Sequence, residues 1–118
     1  MKELPANKVS IQDPFWSPRL EINAAKSIFH QWNELEKSGC IDNFRIIAGE
    51  KDGFREGWVF ADSDAYKWLE AAARIYASHP DPKLKTLMDE LISLLAKTQM
   101  PDGFFDLFCK PGIVHPIY

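Results

Sequence analysis

Two carboxylates flank a hydroxyl at Asp62-Ser63-Asp64, where the aromatic stretch Gly57-Trp58-Val59-Phe60 runs into a helix-like pattern. Such a trio has three chemical uses. Ser and Asp oxygens accept the orphan backbone N–H groups at a helix start, and an acidic first turn complements the helix dipole. Oxygen ligands can hold a hard cation, but a cation site needs more of them than two carboxylates and a hydroxyl supply. Carboxylates beside an aromatic ring can also form the floor of a sugar pocket. The residue types alone leave the cap as the leading reading.

The elements that would position this trio follow from spacing. Val9, Ile11 and Asp13-Pro14 read as a short extended segment ending in a turn. Ser17 is placed to cap a first helix with Pro18 at its first position. Leu20, Ala24, Ile28, Gln31 and Leu35 continue it over about 18–38, and Gly39 closes it in a left-handed conformation. Residues 40–61 read as an irregular loop, with Gly49, Gly53 and Gly57 recurring among charges and no phosphate-cradle context. A second helix is expected over about 63–78, with the stripe Ala65/Tyr66, Leu69, Ala72/Ala73 and Tyr76. A third starts after Asp81, with Pro82 leading Leu84, Leu87, Met88, Leu91, Ile92 and Leu95. The link Ser78-His79-Pro80-Asp81 is short, so these two helices should form an antiparallel hairpin. Pro101-Asp102-Gly103 has turn chemistry, and the apolar tail 105–118 carries Pro111 and Pro116.

These elements occupy 118 residues, within one domain's usual length, with a formal net charge of −3 and 26% charged residues. No basic run or patch stands out, so the composition gives nucleic-acid binding no support. MKELPANKVSIQD has no apolar core of signal-peptide length, and no apolar run approaches the ~18 residues of a membrane span. No membrane association is expected, and the chain as written is expected in the cytoplasm. Cys40 and Cys109, even with His30, His79 and His115, give no metal-ligand spacing. Free, partly buried thiols are expected. Trp16 and Trp68 read as core. Three helices and a hydrophobic tail make a poor closed domain and look like a piece of a larger all-helical array.

The motifs carry a resemblance. V-x-I-x-D-x-F-W-x-P-R-L (Val9 to Leu20), D-N-F (Asp42 to Phe44), GWVFADSDAYKWLEAAA and Q-x-x-D-G-F (Gln99 to Phe104) resemble, in order, the N-terminal region of glycoside hydrolase family 127, the β-L-arabinofuranosidases. The resemblance covers roughly 9–106. It implies an all-α fold: an incomplete piece of an (α/α)₆ barrel, with an extended segment over 1–17, helices over 18–104 and an irregular tail over 105–118. It also implies retaining hydrolysis in the full-length family by a zinc-bound cysteine thiolate with a glutamate acid/base. That departs from the usual carboxylate pair, although a thiolate on zinc is already ionised and suits the role.

Those catalytic groups and zinc ligands lie downstream of this segment in the family, so no catalytic residue, metal ligand or cofactor is assigned to this chain. Cys40 and Cys109 match no family cysteine. His115-Pro-Ile-Tyr118 has the spacing of a family His-x-x-Tyr motif, but the segment before it is too short and Pro116 would spoil a helix start. A truncated or out-of-frame tail is the expectation. For the opening trio, the resemblance places the aromatic matching Phe60 in the sugar pocket. Phe60 and, more weakly, Asp62 are the expected substrate contacts, with Asp64 as a cap. The expected function is an N-terminal fragment of a β-L-arabinofuranosidase-type hydrolase, inactive by itself, taking an L-arabinofuranoside or related sugar when completed. A non-catalytic helical module that binds a partner chain is the alternative. Helix two is apolar nearly all round, so self-association through exposed helix faces is also expected.

Overall fold

A computed structural model describes residues 2–5, 8–55, 57, 61–101 and 103. The expected tail 105–118 lies outside them. The elements that the described residues form are all helices, with no strand among them. The first helix is one rod in three parts: α1 (Trp16–Ile22), a π-helical turn (Asn23–Ser27) and α2 (Ile28–Lys37). The junction residues Ile22, Asn23, Ser27 and Ile28 are all right-handed helical, so the rod is continuous.

Its start differs from expectation. Ser17 does not cap the rod; Asp13 does. The Asp13 carboxylate accepts from the amides of Phe15 (2.8 Å) and Trp16 (2.9 Å), and the Ser17 hydroxyl accepts from the Asp13 amide (2.9 Å). Asp13 bonds short-range amides more readily than a serine already inside the turn. Helix therefore begins two residues before Pro18. Gly39 does terminate the rod, at φ 82°.

The same glycine starts α3 (Cys40–Ile47), in a stretch expected to be irregular. Six of its eight residues are buried: Cys40, Ile41, Asn43, Phe44, Ile46 and Ile47. Eight residues give barely two turns of periodicity, and Ile, Asn and Asp are modest helix formers. Tertiary burial, not local preference, makes this segment helical.

After a loop, α4 (Asp62–Ser78) and α5 (Pro82–Thr98) form the expected hairpin. Asp81 caps α5, its carboxylate accepting from the Lys83 amide at 2.8 Å, and Pro82 takes the first position. The turn after α5 is closed by the Gly103 amide on the Met100 carbonyl, at 2.8 Å.

The core lies where α2, α3, α4 and α5 meet, around Ile28, Trp32, Ile41, Phe44, Ala65, Trp68, Ala72, Leu84, Leu91 and Leu94. Trp32 and Trp68 pack with ring centroids 4.7 Å apart. The Trp68 indole N–H donates to the Ile28 carbonyl at 3.0 Å, a buried bond that joins α4 to the rod at the end of the π turn. Trp68 is core, as expected. Trp16 is not: it is 55% exposed, with Phe15 packed edge-on at 4.9 Å and Arg19 stacked on Phe15. No described helix passes in front of α1, so its aromatic start has nothing to bury against. Exposed large apolar residues gather on this approach (Leu4, Val9, Ile11, Phe15, Trp16 and Ile22) rather than on α4.

On the far side of the core, one guanidinium ties three helices. Arg45 of α3 pairs with Glu36 of α2 (2.7 Å), Asp42 of α3 (2.8 Å) and Glu90 of α5 (2.9 Å). Lys51 adds a 2.6 Å contact to Asp42. Bonds from Lys51 and Arg45 hold the Asp42 carboxyl below its usual range. Asp42 therefore contributes stability that is complete above its unfolded value of about 3.9 and is lost as pH falls through the lower folded value. Arg45→Met leaves three carboxylates facing one another. It should cost roughly 1–3 kcal/mol, below the range for fully buried pairs because the cluster is partly solvated. Urea melts at pH 7 and at roughly pH 2, below the depressed carboxylate range, will check this: the variant should lose stability mainly at pH 7, and an equal loss at both values would assign the effect to packing.

Candidate functional site

The acidic trio sits at the start of α4, and its members do different things. The N-cap of α4 is Ala61, which makes no side-chain cap bond. Asp62 and Ser63 are already inside the helix, so neither is the expected N-cap. Ala61 is itself right-handed helical (φ −60°, ψ −28°), and its carbonyl accepts from the Asp64 amide at 3.4 Å. The helix is entered through a tight turn, which places the acidic residues one position too late to cap. Their charges still complement the positive end of the helix dipole.

Asp62 is half-buried and turned along the helix. Its Oδ2 accepts from the Tyr66 hydroxyl at 3.2 Å, one turn on. The Tyr66 ring stands edge-on to Phe44 of α3, centroids 5.9 Å apart, and Phe44 has no exposed surface. Burial, then the neighbouring Asp62 charge, push the Tyr66 phenol well above its ordinary value, so it stays a donor. Asp64 is exposed and lines a groove of about 430 Å³ between α2 and α4, with Gln31, Glu34, Leu35, Lys67, Trp68 and Ala71. That groove contains neither Asp62 nor Tyr66. The two carboxylates thus face different surroundings and do not form an acid/base pair of the kind that requires shared space. Phe60, the other expected sugar contact, lies outside the described residues.

Cys40, at the start of α3, closes the site from below. It is a buried free thiol, and its S–H points at the Ala61 carbonyl, 3.1 Å away. Burial raises its pKa to about 11, with the Asp64 and Asp62 charges adding to the effect and the Ala65 amide opposing it. A nucleophilic or metal-binding cysteine needs the reverse, an electropositive setting that favours thiolate. Among the described residues no group of three His, Cys, Asp or Glu side chains could hold a metal ion. These residues do not fit zinc, and no chemistry here is routed through it. Cys109 and His115 lie outside the described residues. No described helix is long and apolar enough to cross a membrane.

Sequence reading missed Tyr66 and Cys40 as members of this site. The Asp62-x-x-x-Tyr66 spacing, which puts both side chains on one helical face, was the available signal for the first. Cys40 had none, because its approach to Ala61 depends on α3.

With this geometry in place, comparison with known proteins is direct. Residues 8–113 match the family Beta-L-arabinofuranosidase, GH127 catalytic domain. The chain belongs to glycoside hydrolase family 127. A non-reducing end β-L-arabinofuranosidase of Bifidobacterium longum subsp. longum is 39% identical, over 83% of this chain and 18% of that protein. The crystal structure of a GH127 β-L-arabinofuranosidase from Geobacillus stearothermophilus superposes with a TM-score of 0.82 at 39% identity, covering 88% of this chain and 18% of that one. A second solved GH127 β-arabinofuranosidase gives 0.75 at 32% identity, covering 87% and 16%. The helices described above correspond to part of the (α/α)-barrel of these enzymes. The chain spans less than a fifth of their length.

The family 127 chain carries its described thiol in an inert form, and this can be measured. At pH 8 a thiol with a pKa near 11 is roughly 0.1% ionised, against ~10% or more when unfolded. Site-resolved mass spectrometry should therefore show native Cys40 alkylated by iodoacetamide at least ~100-fold more slowly than in urea. Equal rates would mean that the thiol is not enclosed.

Proposed function

We propose that this chain supplies the N-terminal helical part of a β-L-arabinofuranosidase-type catalytic domain, and that the start of α4 contacts the sugar. The family match over residues 8–113 carries this reading. Asp62 supports it locally. A half-buried carboxylate held by a neighbouring phenol offers an acceptor for sugar hydroxyls, and the sequence just before it is aromatic. Phe60 is the ring proposed for the apolar face of the sugar. The ligand class is an L-arabinofuranoside. The retaining reaction, with its cysteine nucleophile and glutamate acid/base, is assigned in this reading to the rest of a family 127 catalytic domain, and the enclosed Cys40, its S–H on the Ala61 carbonyl, is not proposed as that nucleophile.

The exposed apolar residues on the approach to α1 are proposed as the surface through which the isolated chain self-associates. Sedimentation velocity should show species larger than the monomer at micromolar concentration. Val9→Lys combined with Trp16→Lys should shift them toward monomer. A wild-type chain that stays monomeric would sink the idea.

Two further measurements test the function. The purified chain should not hydrolyse an aryl β-L-arabinofuranoside above background, and turnover abolished by Cys40→Ser or Cys109→Ser would overturn the assignment of catalysis elsewhere. Methyl β-L-arabinofuranoside should perturb backbone NMR signals around Asp62, with Asp62→Asn weakening the response. The absence of any such perturbation in the wild-type chain would remove the sugar-contact reading and favour the partner-binding module.

A further inference from the structure

We infer that Tyr66 is a positioning residue, whose hydroxyl fixes the Asp62 carboxylate in the rotamer that leaves its second oxygen for a ligand. This deepens the sugar-contact reading and rests on it for the ligand's identity.

Asp62 is the first residue of α4, whose N-cap residue, Ala61, makes no side-chain cap bond. An aspartate in such a turn has a competing use. Its carboxylate can fold back onto the helix's own amides, drawn by the positive end of the dipole. In the structure it does not. Oδ2 is engaged by Tyr66 at 3.2 Å, and among the described residues Tyr66 is the only hydrogen-bond partner of Asp62.

Tyr66 can impose this geometry because it is held from a different element. Its ring contacts Phe44, which is completely enclosed on α3. The phenol therefore cannot follow Asp62 if the carboxylate swings away. A rigid core residue, an anchored ring, a hydroxyl and a carboxylate form a chain running outward from the packed interior. Held side chains of this kind set the geometry of a site more tightly than the loop beside it can.

The same arrangement accounts for the spacing. Positions i and i+4 share a helical face, so the donor and the carboxylate are both carried by α4, whose own register is fixed by Trp68 on the Ile28 carbonyl.

The test uses the full chain and Tyr66→Phe, which removes only the hydroxyl and keeps the ring on Phe44. Three-bond Hα–Hβ couplings of Asp62, measured without sugar, should show one dominant χ1 rotamer in the wild type and averaging in the variant. Affinity for methyl β-L-arabinofuranoside should fall roughly five- to tenfold, the net scale of one ordinary hydrogen bond. The melting temperature should move only slightly, which separates positioning from general destabilisation. Unchanged Asp62 couplings in Tyr66→Phe would overturn the inference, whatever the affinity does. A wild type that shows no response to the sugar while the couplings change would keep Tyr66 as the positioning residue and remove the arabinofuranoside as ligand.

Discussion

An eight-residue helix with six residues buried cannot stand alone, and the enclosure of α3 is the constraint on which the rest of the structure depends. Isolated helices of that length are marginal in water. Here α2, α4 and α5 each contribute a wall. Phe44 and Ile41 have no exposed surface, and Leu84 and Leu91 meet them from α5. Fully burying one such side chain contributes on the order of 1.5–3 kcal/mol, so these contacts outweigh the modest helix preference of Cys-Ile-Asp-Asn-Phe-Arg-Ile-Ile. The half-buried side of α3 is secured differently, by Arg45 reaching carboxylates on two neighbouring helices.

The site inherits its geometry from that helix. Cys40 meets the Ala61 carbonyl from the first turn of α3, and Phe44 meets Tyr66 from the second. The start of α4 is thus located by contacts across the chain instead of by a cap of its own. This explains why an entry without a side-chain cap is tolerated. A burial-dominated thiol and a carboxylate-bonded phenol follow from the same enclosure, and both favour protonated, fixed groups over reactive ones.

Legibility in the sequence followed the range of the forces. The α4–α5 hairpin was readable because Asp81-Pro82 caps locally and Leu84, Leu87, Leu91 and Leu95 recur at helical spacing, although Leu94 is buried in place of the expected Ile92, which is exposed. Gly39 was readable as a left-handed terminator for the same reason. The identity of α3 was not, since two turns are too short for periodicity to show and its helicity depends on the partners around it. Asp13 took the capping role expected of Ser17 because two good capping residues stood four apart and only geometry decides between them. Trp16 was read as core on residue type alone, whereas burial also needs a neighbour. The family was legible because a long mixed motif is specific in a way that no single residue is. Asp62 was legible as a candidate, but its partner Tyr66 required knowing that Phe44 lies behind it.

The π-helical turn at Asn23–Ser27 sets a phase difference within the first rod. A regular α-helix advances about 100° per residue, so one residue absorbed in a wider turn offsets everything before it by about that angle. Ile28 and Trp32 look inward to the tryptophan contact, and upstream Ala24 is buried and Leu20 partly buried, continuing the same stripe in four-residue steps. Each such step overshoots a regular turn by about 40°, so three of them would carry Leu20 off the Trp32 side by about 120°. The extra residue takes up most of that drift. Leu20, Ala24, Ile28 and Trp32 therefore stay on one side of a single axis, which a uniform rod with the same spacing would not allow.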